Sequence, residues 1–136
     1  MVKLIMSGSG EGKTKQLISM MDNAAEKEVG CMVCIEPKRN MSFNLRHQTR
    51  LVDASEFYIA NFEALRGFIC GLYAGNYDIS HIFIDNLAKV AHSKDLEETG
   101  AFLEWLDKFS APLNLNATVT ISADPESATD VMRKYL

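Results

Sequence analysis

Apolar positions along the chain fall into short continuous runs and into helical stripes, and the two kinds alternate. Val2 to Met6 is a short apolar run that reads as a first strand. Residues 13–28 place Leu17, Ile18, Met20, Met21, Ala24 and Ala25 at helical spacing, the apolar face of an amphipathic helix. Gly30 closes that helix, and Cys31 to Ile35 (CMVCI) reads as a buried strand ended by Glu36-Pro37. Residues 38–49 are polar and basic without a period, and Leu51-Val52 makes a short strand. Asn61 caps a second helix, with Phe62, Leu65, Ile69, Leu72 and Tyr73 on one face and a break at Gly75-Asn76. His81 to Ile84 (HIFI) is a strand ending at Asp85-Asn86. Ser93 caps a third helix whose apolar positions include Leu96, Leu103, Leu106 and Phe109, and Pro112 stops it. Thr118 to Ile121 (TVTI) is the last strand. Asp124-Pro125, a cap followed by proline at the first helical position, starts a final helix that buries Val131, Met132 and Tyr135.

Strands that alternate with helices predict a parallel sheet covered on both faces. The expected fold class is α/β, a three-layer sandwich around a mainly parallel five-stranded sheet, with residues 1–136 forming a single domain. The composition agrees: 136 residues, 47% hydrophobic and 24% charged, can bury an ordinary core. A net charge of −4 argues against sequence-independent binding along nucleic acid, which needs a basic face. No apolar run reaches the ~18–20 residues that span a bilayer. The N-terminal apolar run is too short for a signal peptide, so a cytoplasmic location is expected. Three cysteines are too few for a disulfide framework. Cys31 and Cys34 form a C-x-x-C, but within a strand an offset of three puts them on opposite faces, so they read as buried thiols rather than a metal pair. His47, His81 and His92 have no metal-ligand spacing.

In parallel α/β sheets ligands sit beyond the carboxyl ends of the strands. Those places hold Ser7–Thr14, Glu36, Asp85 and Ser122–Asp124. The first is Ser7-Gly8-Ser9-Gly10-Glu11-Gly12-Lys13-Thr14, between a strand and an amphipathic helix. It is one residue short of the strict phosphate-loop pattern G-x-x-x-x-G-K-[S/T], with serine where the first glycine belongs. Such a loop turns successive backbone N–H groups around a polyphosphate at the positive end of a helix. Lys13 would reach the β- and γ-phosphates, and the Thr14 hydroxyl would hold Mg²⁺. Ser7 is tolerable if its φ is negative, and otherwise costs ~1–2 kcal/mol of strain. Asp85 ends an apolar strand, the place from which an acid holds Mg²⁺ through water.

Ser7–Thr14 and Ile82–Asp85 resemble the Walker A and Walker B motifs of P-loop NTPases. The start VKLIM…GKTKQLI, the segments LVDAS and GFICGLYAGNYDI-HIFID, and the end TISADP…KYL together resemble a group of small P-loop ATP-binding proteins of Firmicutes, some of which carry a twitching-motility label. The motility label does not transfer, since true retraction ATPases are much longer. The resemblance implies ATP and Mg²⁺ as ligands, with Thr14 and Asp85 on the metal. RecA-like ATPases take a glutamate from the end of a neighbouring strand, and Cys34-Ile35-Glu36 looks like that arrangement, which makes Glu36 the candidate base beside Lys13 and Asp85. Where many ATPases have glutamate after the Walker B aspartate, this chain has Asn86. Ser122 sits where sensor residues of related folds contact the γ-phosphate, or else serves as a structural hydroxyl. Lys38, Arg39, Arg46 and Arg50 form a basic segment that reads as a solvated loop, with phosphates, RNA or an acidic protein as alternative partners. The N-K-x-D guanine signature is absent, which leaves adenine as the default. The expected function is ATP binding with slow hydrolysis, as a minimal ATPase or switch. Its alternatives are a non-hydrolysing adaptor module with a protein partner and, last, a nucleoside-type kinase.

Overall fold

The computed structural model of the protein describes residues 1–8, 10, 12–39 and 49–136. In chain order the elements are β1 (Val2–Ser7), α1 (Lys13–Lys27), β2 (Cys31–Glu36), β3 (Thr49–Asp53), α2 (Phe62–Gly75), β4 (Ile79–Ile84), the short α3 (Leu87–Ala91), α4 (Leu96–Ser110), β5 (Asn116–Ser122) and α5 (Asp130–Arg133). The strands form one five-stranded sheet in the order β1-β5-β4-β2-β3, and every pairing is parallel.

Strand parity sorts the side chains into two cores. Met32 and Cys34 of β2 and Phe83 of β4 meet Leu17, Met21 and Ala24 of α1 on one face. Val33 and Ile35, with Ile82 and Ile84, point the other way into the larger core, where α2 and α4 supply Leu65, Ile69, Phe102, Leu103 and Leu106. The two faces make the expected three layers. β5 alternates more strictly than its TVTI core suggests. Ala117, Val119 and Ile121 enter the larger core, while Thr118 and Thr120 are buried on the α1 side.

The α1 side is tied to the sheet by a polar network. His81 of β4 bonds through Nδ1 to Glu28 Oε2 and through Nε2 to Thr118 Oγ1, both at 2.8 Å. Asn116 Nδ2 donates to Glu28 Oε1 at 3.2 Å. The imidazole stacks on Phe83 with centroids 3.9 Å apart. Desolvation pulls the His81 pKa below its ordinary value, although the Glu28 carboxylate pulls it upward.

Three local expectations are corrected. α4 is capped by Asp95, not Ser93: Asp95 Oδ1 accepts from the Glu97 and Glu98 amides at 2.9 and 3.2 Å. A carboxylate adjoining the first turn reaches these donors, and Ser93 Oγ instead accepts from the Asp95 amide and donates to Glu98 Oε2. The final helix is broken in two. Asp124 caps only a 3-10 turn, Pro125–Ser127, and α5 starts afresh at Thr129, whose Oγ1 accepts from the Met132 amide. The extended, buried Ala128 separates them. The break brings Val131 onto α4 at Gly100, where an added Cβ would lie 3.3 Å from Val131 Cγ1. Finally, the thiols are not all buried: Cys34 is, but Cys31 and Cys70 are exposed.

At the sheet margin, β1 pairs with β5 alone among the described strands. On its outer side the Leu4 amide donates to the Tyr135 carbonyl at 2.7 Å.

Candidate functional site

Ser7 is the last residue of β1, in register with Ser122 at the end of β5. It is not among the residues with positive φ, so serine replaces glycine there without left-handed strain. The positive angles fall on Gly10 (φ 81°) and Gly12 (φ 82°). A Cβ on either would meet none of the described residues within 4 Å, so it is backbone conformation that calls for glycine. Gly12 is the N-cap of α1, and the first turn holds no acid. The first amides of a helix have no acceptor within it, so this end presents donors and partial positive charge. Lys13 is buried, and its Nζ folds back to donate to the Gly8 carbonyl at 2.6 Å. Ser9 and Glu11 lie outside the described residues.

Asp85 leaves β4 opposite this loop. Its amide donates to the Ile35 carbonyl of β2 at 2.9 Å. Its carboxylate is gripped from the other neighbour: Thr120 Oγ1 of β5 donates to Asp85 Oδ1 at 2.8 Å. The second oxygen, Oδ2, faces the Thr14 hydroxyl at 3.5 Å. The strand order explains this arrangement. β5 lies between β1 and β4, so a side chain of β5 is placed to orient the acid toward the loop that β1 supplies. Asn86 takes a left-handed conformation (φ 56°), which asparagine tolerates, and begins α3. Its amide donates to the same Thr120 oxygen at 2.9 Å.

Glu36 ends β2 in register with Asp53 of β3. It is only 1% exposed, which rules out a solvated strand end. Cys34, one pleat below it, feels both acids. Burial, then the Asp85 and Glu36 charges, push its thiol pKa far above the ordinary value.

These groups line one cleft of about 870 Å³. Gly10, Gly12, Lys13 and Thr14 contribute the loop side, and Glu36 and Asp85 the acids. Asn86, Ser122, Lys38 and Arg39 also line it. The basic segment is divided, because Arg50 lies on β3 and borders a different cleft beside Gly71 and Gly75 of α2. Arg46, with the rest of residues 40–48, lies outside the described residues.

Two groups of the site carry little local signal in the sequence: Thr120, buried behind Asp85, and Lys89, which lines the cleft. Thr120 was hidden inside an apolar run, although Thr118-x-Thr120-x-Ser122 is a period-two polar stripe that marks one face of a strand. Lys89 is carried by α3, whose five residues are too few to show a helical period.

No protein-family model matches the chain, and no curated protein matches it. Among solved structures the chain is similar to a KaiC-like protein of the hyperthermophilic archaeon Pyrococcus horikoshii, with a TM-score of 0.66 and 15% identity. The alignment covers 98% of this chain and 66% of that one, so the chain spans just under two thirds of its neighbour's length. At this identity the likeness shows the fold, which is that of the P-loop NTPases. Among the described residues no helix is long and apolar enough to cross a membrane.

Proposed function

We propose that the protein binds ATP with Mg²⁺ and hydrolyses it slowly, as a minimal P-loop ATPase or ATP-dependent switch. One observation carries this reading: the Thr14 hydroxyl at the start of α1 and the Asp85 carboxylate at the end of β4 face each other at 3.5 Å across a single cleft. A hydroxyl and a carboxylate are hard oxygen donors of the kind that suits Mg²⁺. Ser7 to Thr14 hold the phosphates, with the backbone amides at Gly12, Lys13 and Thr14 as donors and Lys13 as the cation for the β- and γ-phosphates. Thr14 and Asp85 are the residues that would hold the metal. The bound metal's part is to neutralise phosphate charge. Glu36 is the base that orients a water, assisted by Asn86. Adenine is favoured because no guanine signature is present. The Firmicutes P-loop proteins noted from sequence remain the kin group we favour, and a cytoplasmic, single-domain protein is the matching cellular picture.

A second reading is a non-hydrolysing nucleotide-binding adaptor that passes its bound state to a protein partner. Asn86 favours it, because the position after Asp85 holds an amide in a left-handed turn rather than a carboxylate.

A thermal-shift panel of nucleotides with and without Mg²⁺ tests both. Ligand at about 100 times its Kd adds ~2.7 kcal/mol, roughly 8–13 °C for a chain of this size. MgATP should produce such a shift, and Lys13→Ala should abolish it. No shift with any nucleotide, in wild type and Lys13→Ala alike, would sink the nucleotide site. A full shift with no phosphate release would leave the adaptor.

A further inference from the structure

A second cleft, of about 460 Å³, adjoins the phosphate-loop cleft and shares Asn86, Lys89 and Ser122 with it. Its volume is in the range that small-molecule sites occupy. Leu96 and Ile121 give it an apolar surface. Among the described residues its charged groups are of one sign, the ammoniums of Lys89 and Lys94. Ser122, Ser127 and Thr99 add hydroxyls.

Among the described residues no carboxylate lines this cleft, although acids are close in sequence. Two of them are engaged elsewhere: Asp95 Oδ1 caps α4, and Asp124 Oδ1 accepts from the Glu126 amide at 2.9 Å. Neither Lys89 nor Lys94 takes part in an ion pair among the described residues. A chain of net charge −4 therefore keeps two cations together on a concave, partly apolar surface. Such a surface focuses a positive field where an anion can approach. A bound nucleotide does not account for both of them. Lys13 and the start of α1 already meet the phosphates, and Lys94 does not line their cleft.

We propose that this second cleft binds a small amphipathic anion: an apolar body about the size of one ring, bearing a single phosphate or carboxylate. The apolar body rests on Leu96 and Ile121, and Lys89 and Lys94 are the cationic partners of the anionic group. The shared residues place its occupant beside the nucleotide. That adjacency rests on the nucleotide reading, whereas the binding itself does not.

The test is an amide-resolved NMR titration of the full chain with phenyl phosphate, benzoate and inorganic phosphate. At least one aromatic probe should move the amides of Thr99, Ser122, Ala123 and Ser127. Comparing phenyl phosphate with benzoate identifies the preferred anionic group, and inorganic phosphate, lacking the apolar body, should bind more weakly than the better probe. Lys94→Gln should weaken that probe about fivefold, and Lys94→Arg should restore it. The amides of Gly12, Lys13 and Thr14 report MgATP separately. If MgATP leaves them unmoved while an aromatic probe moves the second set, the nucleotide site fails and the second cleft stands. The proposal is overturned if neither aromatic probe moves the second set, if they move only Gly12 to Lys15, or if Lys94→Gln binds as wild type does.

Discussion

Replacing Thr120 with valine would remove one oxygen and change almost no volume. That oxygen is completely buried and makes two bonds, donating to Asp85 Oδ1 and accepting from the Asn86 amide. The bond to the carboxylate is worth about 1.5–3 kcal/mol and the amide bond about 0.5–1.5 kcal/mol. The added methyl returns about 0.8 kcal/mol by its burial. The expected net loss of stability is therefore about 1–4 kcal/mol, readable as a lower urea midpoint. A second effect falls on the site. Without Thr120, Asp85 keeps its backbone bond to Ile35 but loses the hydroxyl that turns Oδ2 toward Thr14. Outer partners of metal-holding carboxylates typically matter by about 10–100-fold in metal affinity, so the Mg²⁺ concentration needed for half-maximal ATP stabilisation should rise by that order. Thr120→Ser keeps both hydrogen bonds and should restore the Mg²⁺ response while losing about 1 kcal/mol for the missing methyl. The measurements are urea unfolding and a Mg²⁺ titration at fixed ATP. A valine variant that is destabilised yet has the wild-type Mg²⁺ response would show Thr120 to be structural only. A variant with unchanged stability would refute the hydrogen-bond reasoning itself.

Three other outcomes follow from the same geometry. His81 has a folded-state pKa below its unfolded value of about 6.5, so its contribution is intact above that pH and declines as pH falls toward the folded pKa. Melting curves from pH 7.5 to 5 should show this decline, flattened in His81→Gln; equal slopes would exclude His81 as its source. Gly30 has φ 125°, and an added Cβ would lie 2.6 Å from the Asp78 carbonyl. Gly30→Ala should cost about 2–4 kcal/mol, whereas Gly12→Ala, strained but unobstructed, should cost about 1–2 kcal/mol; a reversed order of urea midpoints would contradict this. Cys34 should resist iodoacetamide in the folded protein while Cys31 and Cys70 react, because burial and two nearby acids hold it as a thiol. Peptide mass mapping that finds Cys34 alkylated as fast as Cys31 would disprove that.

The layered architecture was legible because β1, β2 and β4 are compact apolar runs and each long helix carries an apolar stripe. Asn61 also had a local signature, and its Oδ1 does accept from the Ala64 amide at 2.8 Å. What escaped depends on contacts distant in sequence. The break at Ala128 accompanies the packing of Val131 against Gly100, and Asp124-Pro125 begins a 3-10 turn as readily as a full helix. At the candidate site, Lys13, Thr14, Glu36 and Asp85 could be singled out because each stands at the carboxyl end of a strand or just beyond it. They were found to share one cleft only when the strand order was known. Thr120 needed that order most, since its role comes from β5 lying between β1 and β4.

The marginal position of β1 has a dynamic consequence. Among the described residues, the strand that feeds the loop is laddered to β5 on one side and held on the other by the Leu4–Tyr135 bond. A strand bound mainly on one side opens locally at a smaller free-energy cost than a central strand such as β4, so its outward amides exchange with solvent through partial excursions rather than global unfolding. The loop inherits that softness at its N-terminal root, while α1 anchors its other end in the core. A ligand gripping Gly12 to Thr14 would stiffen the hinge between a soft strand and a rigid helix. Its binding would then be felt as slower opening along β1, as far as the chain segment that touches Leu4 from outside the sheet.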